Sequence, residues 1–416
     1  MESLDPSFLV IIFSSTIIVS YFFDMLGKKS GIPSVLMLIF LGVLINFGLF
    51  VSGVSKPNLL PVLSVLGVVG LVLILLEAAL DLKVVRTKVF LIFKSLLVSF
   101  LGLAGTAYLA ALVLSHIIDL PILNALLYTI PMSILSSAII LPSIGVLNEN
   151  KREFMVYEST FSDIWGIIGF YGVLSFLNST ENTTGIGGDI FNNLILSVVF
   201  SILLSYLLIF IFQKIRSGVK FFLLIAVLLL LYALGNLFNL SSLLIILIFG
   251  LMLSNHRLFF GGVLKGFVDT SKVEQVLEDA KLVSSESAFV MRTFFFIIFG
   301  WSVSLVSLFD VTVVFVGLCL LVVIYLVRFL SLLLFSGKDV FPQVFLAPRG
   351  LITILLFFSI PKEFASDFSF EGVLLFVILS SCLIMSWSLV RYKKKQELLK
   401  KELLDSEKKD SSFVDS

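Results

Sequence analysis

Four ionisable residues lie inside long apolar stretches of this sequence. Glu158 and Asp163 stand in "ESTFSDIWGI", Arg328 in "IYLVRFLSLL" and Arg349 in "FLAPRGLITI". Inside a bilayer, each charge at the centre of a spanning helix costs roughly 2.5 to 3.5 kcal/mol. Two carboxylates and two guanidinium groups form a neutral set, so we expect the four side chains to face inward and to meet one another. For each residue, a structural ion pair between helices is the alternative to a functional role.

The surroundings of Asp163 suit a small cation. Ser159, Thr160 and Ser162 precede it, and Trp165 follows it. A single hydroxyl in a membrane helix usually donates back to a carbonyl of its own helix. A cluster of hydroxyls beside a carboxylate instead supplies the oxygen ligands that a desolvated cation needs. The pattern therefore predicts an ion-binding site at Asp163.

Two apolar segments carry matching interruptions. The fifth segment, "PMSILSSAIILPSIGVL", contains Ser136, Ser137 and a central Pro142, and the twelfth contains Pro348, Arg349 and Gly350. When segments 1 to 6 and 8 to 13 are compared as two halves, the interruptions fall at the same place. Corresponding broken spans mark the binding site of inverted-repeat transporters, where freed backbone groups coordinate ions. We therefore add Ser136 and Ser137 to the predicted ion-binding set, although an ordinary proline kink is the alternative for each break.

The composition identifies the class of protein that must position these residues. Hydrophobic residues make up 59% of the 416 residues, charged residues only 14%, and the mean hydropathy is +1.13. A soluble domain is about half apolar and a quarter charged, so the chain is predicted to be an all-α polytopic membrane protein. Hydropathy divides it into thirteen predicted spans: 7–25, 32–50, 59–80, 89–115, 121–147, 155–177, 190–212, 220–236, 239–256, 287–308, 311–336, 341–361 and 370–390.

The distribution of basic residues predicts the orientation. With the N-terminus outside, the loops and tail assigned to the cytoplasm carry 23 Lys and Arg residues, and the opposite loops carry only Lys56 and Lys362. The positive-inside rule therefore places the N-terminus outside and the C-terminus in the cytoplasm. An odd number of spans follows from that orientation. We expect an integral protein of a bacterial inner membrane.

Other classes of function have little support. The net charge of +1 is not gathered into a basic patch, so nucleic acid is not an expected partner. His116 and His256 lie at segment ends without metal-ligand spacing, and both are interpreted as interfacial residues. A membrane-embedded enzyme is therefore disfavoured, and no cofactor is expected.

Several motifs resemble one known family. "ESTFSD" is similar to the sixth-span signature of sodium/proton antiporters in the monovalent cation:proton antiporter superfamily, where a Glu-Ser pair precedes an Asn-Asp or Asp-Asp pair by two residues. The segments "LLEAALDLKVVR", "SSAIILPSIGVL", "RTFFFIIFG" and "APRGLITILLFFSIP" are similar to its third, fifth, tenth and twelfth spans. The resemblance covers nearly the whole chain in order.

The resemblance implies roles for individual residues. Asp163 would take either a cation or a proton, Glu158 would pair with Arg328 to support the site, and the backbone near Pro142 and Pro348 would cross beside it. Desolvation favours the protonated form of a carboxyl, so proton and cation compete for one acceptor. Ser162 replaces the usual Asn or Asp, and the fifth span has no Thr-Asp-Pro acid. One transport carboxylate predicts one-for-one, electroneutral exchange of H⁺ for Na⁺ as the first choice and K⁺ as the second.

The family architecture also predicts the organisation of the chain. Two inverted-topology repeats with crossed broken helices would form a transport core that moves against a scaffold, commonly in a homodimer. The predicted divisions are scaffold helices in 1–88, core helices in 89–178, a linker helix and scaffold helices in 190–308, and core helices in 311–390. Residues 257–286 are expected to lie along the membrane surface, and 391–416 to form a charged, solvated and partly disordered cytoplasmic tail.

Two alternatives are compatible with the same pattern. A sodium-coupled symporter of an organic anion could use the inverted-repeat fold, with Arg349 binding the negative charge of the substrate. Few Asn and Gln residues lie near the predicted site, however, whereas a substrate of that kind needs a roomy polar cavity. A homologue that has lost transport is the second alternative, because of Ser162.

Overall fold

A computed structural model gives the architecture of the chain. It describes residues 6–30, 32–51, 60–82, 84, 86–179, 186–212, 220–237, 242–260, 270–302, 308, 310–337, 339–366 and 368–414. Lys56, which enters the orientation argument, lies outside the described residues. Within them, the regular structure consists of α-helices and short 3₁₀ turns, and no strand occurs. The predicted all-α fold is confirmed.

The helices follow the apolar segments, because apolar residues on all sides of a helix suit a lipid environment or a protein interior. Their bounds are α1 Pro6–Ser30, α2 Ser34–Val51, α3 Leu60–Asp81, α4 Val89–Ile118, α5 Ile122–Ser133, α6 Ser137–Ser143, α7 Glu149–Ser179, α8 Ile186–Phe212, α9 Lys220–Leu237, α10 Ser242–Ser254, α11 His256–Phe259, α12 Thr270–Ser302, α13 Val311–Ser336, α14 Leu351–Phe358 and α15 Phe370–Val414.

Seven stretches of the described residues are long and apolar enough to cross a membrane. They lie in α1, α4, α5 with α6, α7, α12, α13 and α15. Shorter apolar helices are found in α2, α8, α9 and α10. The polytopic character is therefore observed, and the number of thirteen spans stays a prediction.

Two segments differ from their predicted form. Residues 270–286 form the first half of α12, continuous with the predicted tenth span, and Val273, Leu277 and Ala280 are buried against the protein. Residues 261–269 of the predicted surface segment lie outside the described residues, and its position along the membrane surface stays a prediction. The tail likewise continues α15 as a helix through Val414, since it is rich in the good helix formers Lys, Glu and Leu. Both predictions underestimated how far the neighbouring helix extends.

The helices pack in two groups. In the first, which we call the core group, α4 packs against α5, α7 and α13, α13 packs against α15, and α5 packs against α14. In the second, the scaffold group, α12 packs against α2 and α3, and α10 packs against α3, α8 and α9. Fewer residues connect the groups, mainly between α7 and α8, α7 and α10, and α3 and α14.

Candidate functional site

Two interrupted helical segments meet inside the core group. α5 ends at Ser133 and α6 begins at Ser137, while residues 346–350 are non-helical before α14. The Ser136 backbone N–H donates to the Pro348 carbonyl, with N and O 3.0 Å apart. The backbone comes so close at Gly350 that a Cβ atom there would collide with the Ser136 hydroxyl. Ser136, Pro348 and Gly350 thus form the predicted crossing.

The break in the fifth segment does not lie at Pro142, and that part of the prediction is wrong. Pro142 is an exposed residue inside α6, six residues beyond Ser136, and lines an open cleft of about 250 Å³ between α6 and the α1–α2 turn. A proline removes only one helical hydrogen bond, and the short α6 accommodates it. The helix is interrupted earlier because the N–H groups of Leu135 and Ser136 donate to acceptors outside their own helix.

Asp163 lies beside this crossing, on α7. Its side chain has no exposed area, and its Oδ2 atom accepts a hydrogen bond from the hydroxyl of Ser137, the first residue of α6. No described residue donates to the Oδ1 atom, and no described cation forms a salt bridge with the carboxylate. A buried carboxylate needs a proton, a hydrogen-bond donor or a cation to offset its desolvation. The free Oδ1 therefore makes Asp163 the position where such a species would be held.

The neighbouring hydroxyls divide into two kinds. The Ser162 hydroxyl accepts a hydrogen bond from the Leu135 N–H at 2.9 Å, so it satisfies a backbone donor exposed by the break. Ser159 and Thr160 donate to the Val156 carbonyl of their own helix, at 3.3 and 2.9 Å. The structure brings Ser137 and Ser162 to the crossing, and it joins neither Ser159 nor Thr160 to Asp163 by a hydrogen bond.

Glu158 and Arg328 form a buried, two-pronged ion pair between α7 and α13. Nη1 of Arg328 lies 2.8 Å from Oε1 of Glu158, and Nη2 lies 3.2 Å from Oε2. Nε of Arg328 also donates to the Gln343 carbonyl at 2.9 Å. The side chains are only 6% and 1% exposed, so removing one partner would leave a buried charge uncompensated. Arg328 therefore fastens three parts of the core group together.

Arg349 does not join this ion pair, which corrects the expectation that all four charges meet. Its Nε donates to the Met132 carbonyl at 2.5 Å, and its Nη1 donates to the Ala347 carbonyl at 3.1 Å. Met132 lies in the last turn of α5, where unpaired carbonyls carry partial negative charge. Carbonyl oxygens at the two breaks thus balance the guanidinium in place of a carboxylate.

A small polar cavity lies between these groups. It has a volume of about 20 Å³ and is lined by Glu158, Ser162, Arg328 and Arg349, together with hydroxyls that include Ser133 and Ser331. A polar space of this size can hold about one water molecule. Polar side chains of α4, α5, α7 and α13, together with Arg349 from the interruption before α14, therefore converge within an otherwise apolar bundle.

Comparison with known protein families identifies the family of this chain. A family model described as "Sodium/hydrogen exchanger, transmembrane" matches residues 12–395. The chain belongs to the sodium/hydrogen exchanger family. The predicted resemblance is confirmed, and the sodium/hydrogen exchanger family comprises transporters of cations and protons rather than enzymes. A search of curated protein sequences gave no significant match.

Solved structures support the same fold for this exchanger. The structure of the sodium proton antiporter MjNhaP1 from Methanocaldococcus jannaschii at pH 8 is 17% identical, with a TM-score of 0.70, over 93% of this chain and 98% of that chain. An electron-microscopy structure of the same antiporter is 16% identical, with a TM-score of 0.66, over 97% and 99% of the chains. The predicted antiporter fold is confirmed.

Some residues of the exchanger site were missed in the sequence. Gln343 accepts from Arg328 through its backbone, and the Ser381 hydroxyl accepts from the Arg349 N–H at 3.2 Å. A buried Gln in an apolar segment was the available signal for Gln343. His256 is buried, with Nδ1 3.1 Å from the Leu253 carbonyl, whereas His116 is exposed. The described residues contain no group of three His, Cys, Asp or Glu that could hold a metal ion.

Proposed function

We propose that this exchanger carries one monovalent cation, Na⁺ in preference to K⁺, against one H⁺, with Asp163 binding either ion. The observation that carries the proposal is the Asp163 carboxylate, which is fully buried at the crossing of two interrupted helices with one oxygen free of donors. A proton or a cation at Oδ1 would offset the same desolvation, so the two species exclude each other. Competition for one acceptor, with access from alternate sides, gives exchange.

One-for-one exchange follows from the count of carboxylates at the crossing. Glu158 is paired with Arg328, and Ser162, the residue before Asp163, carries no second carboxylate. Loading Asp163 with either H⁺ or Na⁺ produces the same net charge in the site. The membrane potential then has no net charge to act on during a full cycle.

Hydroxyl ligands support the choice of Na⁺. Ser137 contacts Asp163 directly, and Ser162 lies next to it at the break. We propose that these oxygens, with Ser136 and backbone carbonyls freed at the breaks, replace part of the hydration shell of a small cation. Ser159 and Thr160 would contribute after leaving their hydrogen bonds to Val156. K⁺ is larger and needs a wider shell, so it is the second choice.

The access route on one side is supported by the cleft beside α6. Ile139 and Ser143 line it, and α6 begins at Ser137, which contacts Asp163. We propose that the core group moves against the scaffold group to open this route and its opposite in turn. The distribution of basic residues favours an N-terminus outside and a C-terminus in the cytoplasm. We propose a bacterial inner membrane as the location and a homodimer as the assembly.

Proteoliposomes with an imposed pH gradient test this function. Na⁺, K⁺ or Li⁺ is added, and proton movement is followed for wild type, Asp163→Asn and the control Asp339→Asn, whose residue lies at the surface and pairs with Lys151. We expect Na⁺-driven proton movement in wild type and Asp339→Asn, none above background in Asp163→Asn, and no change when the membrane potential is clamped.

Each part of the proposal can fail separately. Exchange that persists in Asp163→Asn would exclude Asp163 as the shared site. Exchange that accelerates under the clamp would exclude the electroneutral stoichiometry. Wild type that moves no protons with any cation would identify a homologue without transport or one that carries another substrate.

A further inference from the structure

One face of α15 points away from the packed helices as the helix leaves its apolar stretch. We define the outward stripe as Leu383, Trp387, Arg391, Lys394, Lys395 and Leu398, all of which are exposed. With 3.6 residues per turn, these positions fall within about 120° of the helix circumference. Met385, Leu389 and Tyr392 on the opposite face are at most 5% exposed. The stripe is therefore a continuous surface that the described part of the protein leaves uncovered.

The chemistry of the outward stripe changes along its length. Leu383 is 60% exposed within the apolar part, Trp387 is 48% exposed, and Arg391 follows one turn later. The guanidinium carbon of Arg391 lies 4.4 Å from the centre of the Trp387 ring. Trp residues favour the membrane interface, with basic residues beyond it at the headgroups. An apolar, an aromatic and a basic part therefore follow one another in the order of acyl chain, interface and headgroup.

The basic part is concentrated and has a net positive charge, because Glu397 is the one acidic residue in 383–398. Residues 391–395 read "RYKKK", with four basic residues and no acidic one. Clusters of Lys and Arg next to a membrane helix attract anionic lipids. Arg391 is held against an aromatic ring, which fixes the planar group that binds a phosphate through two hydrogen bonds. The stripe thus has the charge and the geometry for a phosphate ester attached to an acyl chain.

We propose that the outward stripe of α15 binds an anionic phospholipid, with its headgroup on Arg391, Lys394 and Lys395 and its acyl chain along Trp387 and Leu383. A second copy of this chain is a poorer occupant, because two such basic clusters would repel each other. The proposal is independent of Asp163 and of transport. It places a bound lipid on the core group, which holds the proposed ion site.

Trp387 provides a direct measurement. The variant Trp165→Phe/Trp301→Phe leaves Trp387 as the single tryptophan of the full chain, since the sequence has three. This parent is reconstituted in mixed phosphatidylcholine and phosphatidylglycerol vesicles of one composition, with bromine on the acyl chains of one lipid or the other. Bromine quenches tryptophan fluorescence on contact, so the quenching ratio reports which lipid lies beside Trp387. Both leaflets have the same composition, so the orientation of the protein does not affect the result.

We expect brominated phosphatidylglycerol to quench Trp387 more strongly than brominated phosphatidylcholine, with a local enrichment of up to about fivefold for each basic residue. The variant Arg391→Gln/Lys394→Gln/Lys395→Gln should bring the ratio to one. The control Lys400→Gln/Lys401→Gln/Lys408→Gln removes the same charge farther along the tail and should keep the parent ratio.

Three results would overturn the proposal. The first is a ratio of one in the parent, and the second is an equal loss in the control, which would mean that tail charge alone attracts the lipid. The third is a Trp387 that neither brominated lipid quenches, which would mean that another chain covers the stripe.

Discussion

Two close helix crossings in this protein use opposite chemistry. In the scaffold group, α2 and α12 approach so closely that a Cβ atom on Gly42 would collide with the Ile297 carbonyl, and one on Gly300 with the Ile39 carbonyl. Both helices run through that crossing without interruption. In the core group, the segments that cross at Ser136 and Gly350 are both interrupted and are joined by a backbone hydrogen bond.

The difference shows what an interruption provides. A continuous helix uses nearly all of its backbone groups internally, so the α2–α12 crossing offers no polar group to an ion. The broken segments release carbonyls and N–H groups into an apolar interior. Arg349 donates to a released carbonyl, Ser162 accepts from a released N–H, and Ser137 donates to Asp163 beside them. The first crossing holds helices together. The second leaves backbone groups without partners in their own helix, and polar or charged side chains supply the missing hydrogen bonds.

The largest loss of stability is expected where a substitution leaves one buried charge of the core group without its counter-ion. Glu158→Gln leaves Arg328 buried without a counter-ion, so we expect the free energy of unfolding to fall by about 3 to 5 kcal/mol. The double variant Glu158→Met/Arg328→Met should regain more than half of that loss, because both charges are gone. Denaturant unfolding in detergent measures the difference.

The matched control lies in the scaffold group, at the ion pair of Asp81 with Lys281. Their side chains are 51% and 28% exposed, so Asp81→Asn should cost less than about 1 kcal/mol. A double variant at Glu158 and Arg328 that is no more stable than Glu158→Gln would contradict the account of the buried pair.

Alanine at the two crossings should separate stability from transport. Gly42→Ala places a methyl group against the backbone of Ile297, which cannot move without separating the helices, so we expect a loss of about 3 kcal/mol or more. Gly350→Ala meets the Ser136 hydroxyl, which can rotate, and the Ser136 Cβ atom at 2.8 Å, so we expect a loss of about 1 to 3 kcal/mol. Only Gly350→Ala should change the Na⁺ dependence of proton movement in proteoliposomes.

Gly172→Ala serves as the control for both. No described atom lies within 4 Å of the position that its methyl group would take, and α7 should gain slightly from the better helix former. An equal change in the Na⁺ dependence of proton movement in Gly42→Ala and Gly350→Ala would remove the functional distinction between the crossings.

A smaller effect is expected at Ser162. Ser162→Ala leaves the Leu135 N–H buried without an acceptor, which should cost about 1 to 3 kcal/mol in unfolding free energy. Ser143→Ala removes a hydroxyl that donates only to the Ile139 carbonyl of its own helix, so its effect should stay within about 0.5 kcal/mol. Ser162→Asn keeps an acceptor and should resemble wild type. A stable Ser162→Ala would mean that the break does not depend on this bond.

The sequence predicted the helices well because their signal is local. Long apolar runs require helices in a membrane, and two matched interruptions indicated where polar backbone would be found. The family resemblance implied the ion pair of Glu158 with Arg328, whereas the residues alone indicated only that the buried charges need partners.

The details of the crossing were not predictable because they depend on contacts between residues that are distant in the sequence. The break lies at Ile134–Ser136 because acceptors distant in sequence, Ser162 and Pro348, bind the released N–H groups, whereas Pro142 is a local signal with a local effect. Charge counting likewise placed Arg349 with the carboxylates, although helix-end carbonyls hold it. Neither partner could be identified from residue type and spacing.

The ion pair of Glu158 with Arg328 also determines when, during synthesis of the chain, the first half can be completed. The two residues are 170 positions apart, so at 5 to 20 residues per second α7 is made roughly 10 to 30 s before Arg328 exists. During that interval the membrane must accommodate the Glu158 carboxyl without its partner, at a cost of roughly 3 kcal/mol if it is charged. The first half of the protein can therefore reach its final arrangement only after the insertion machinery has delivered α13.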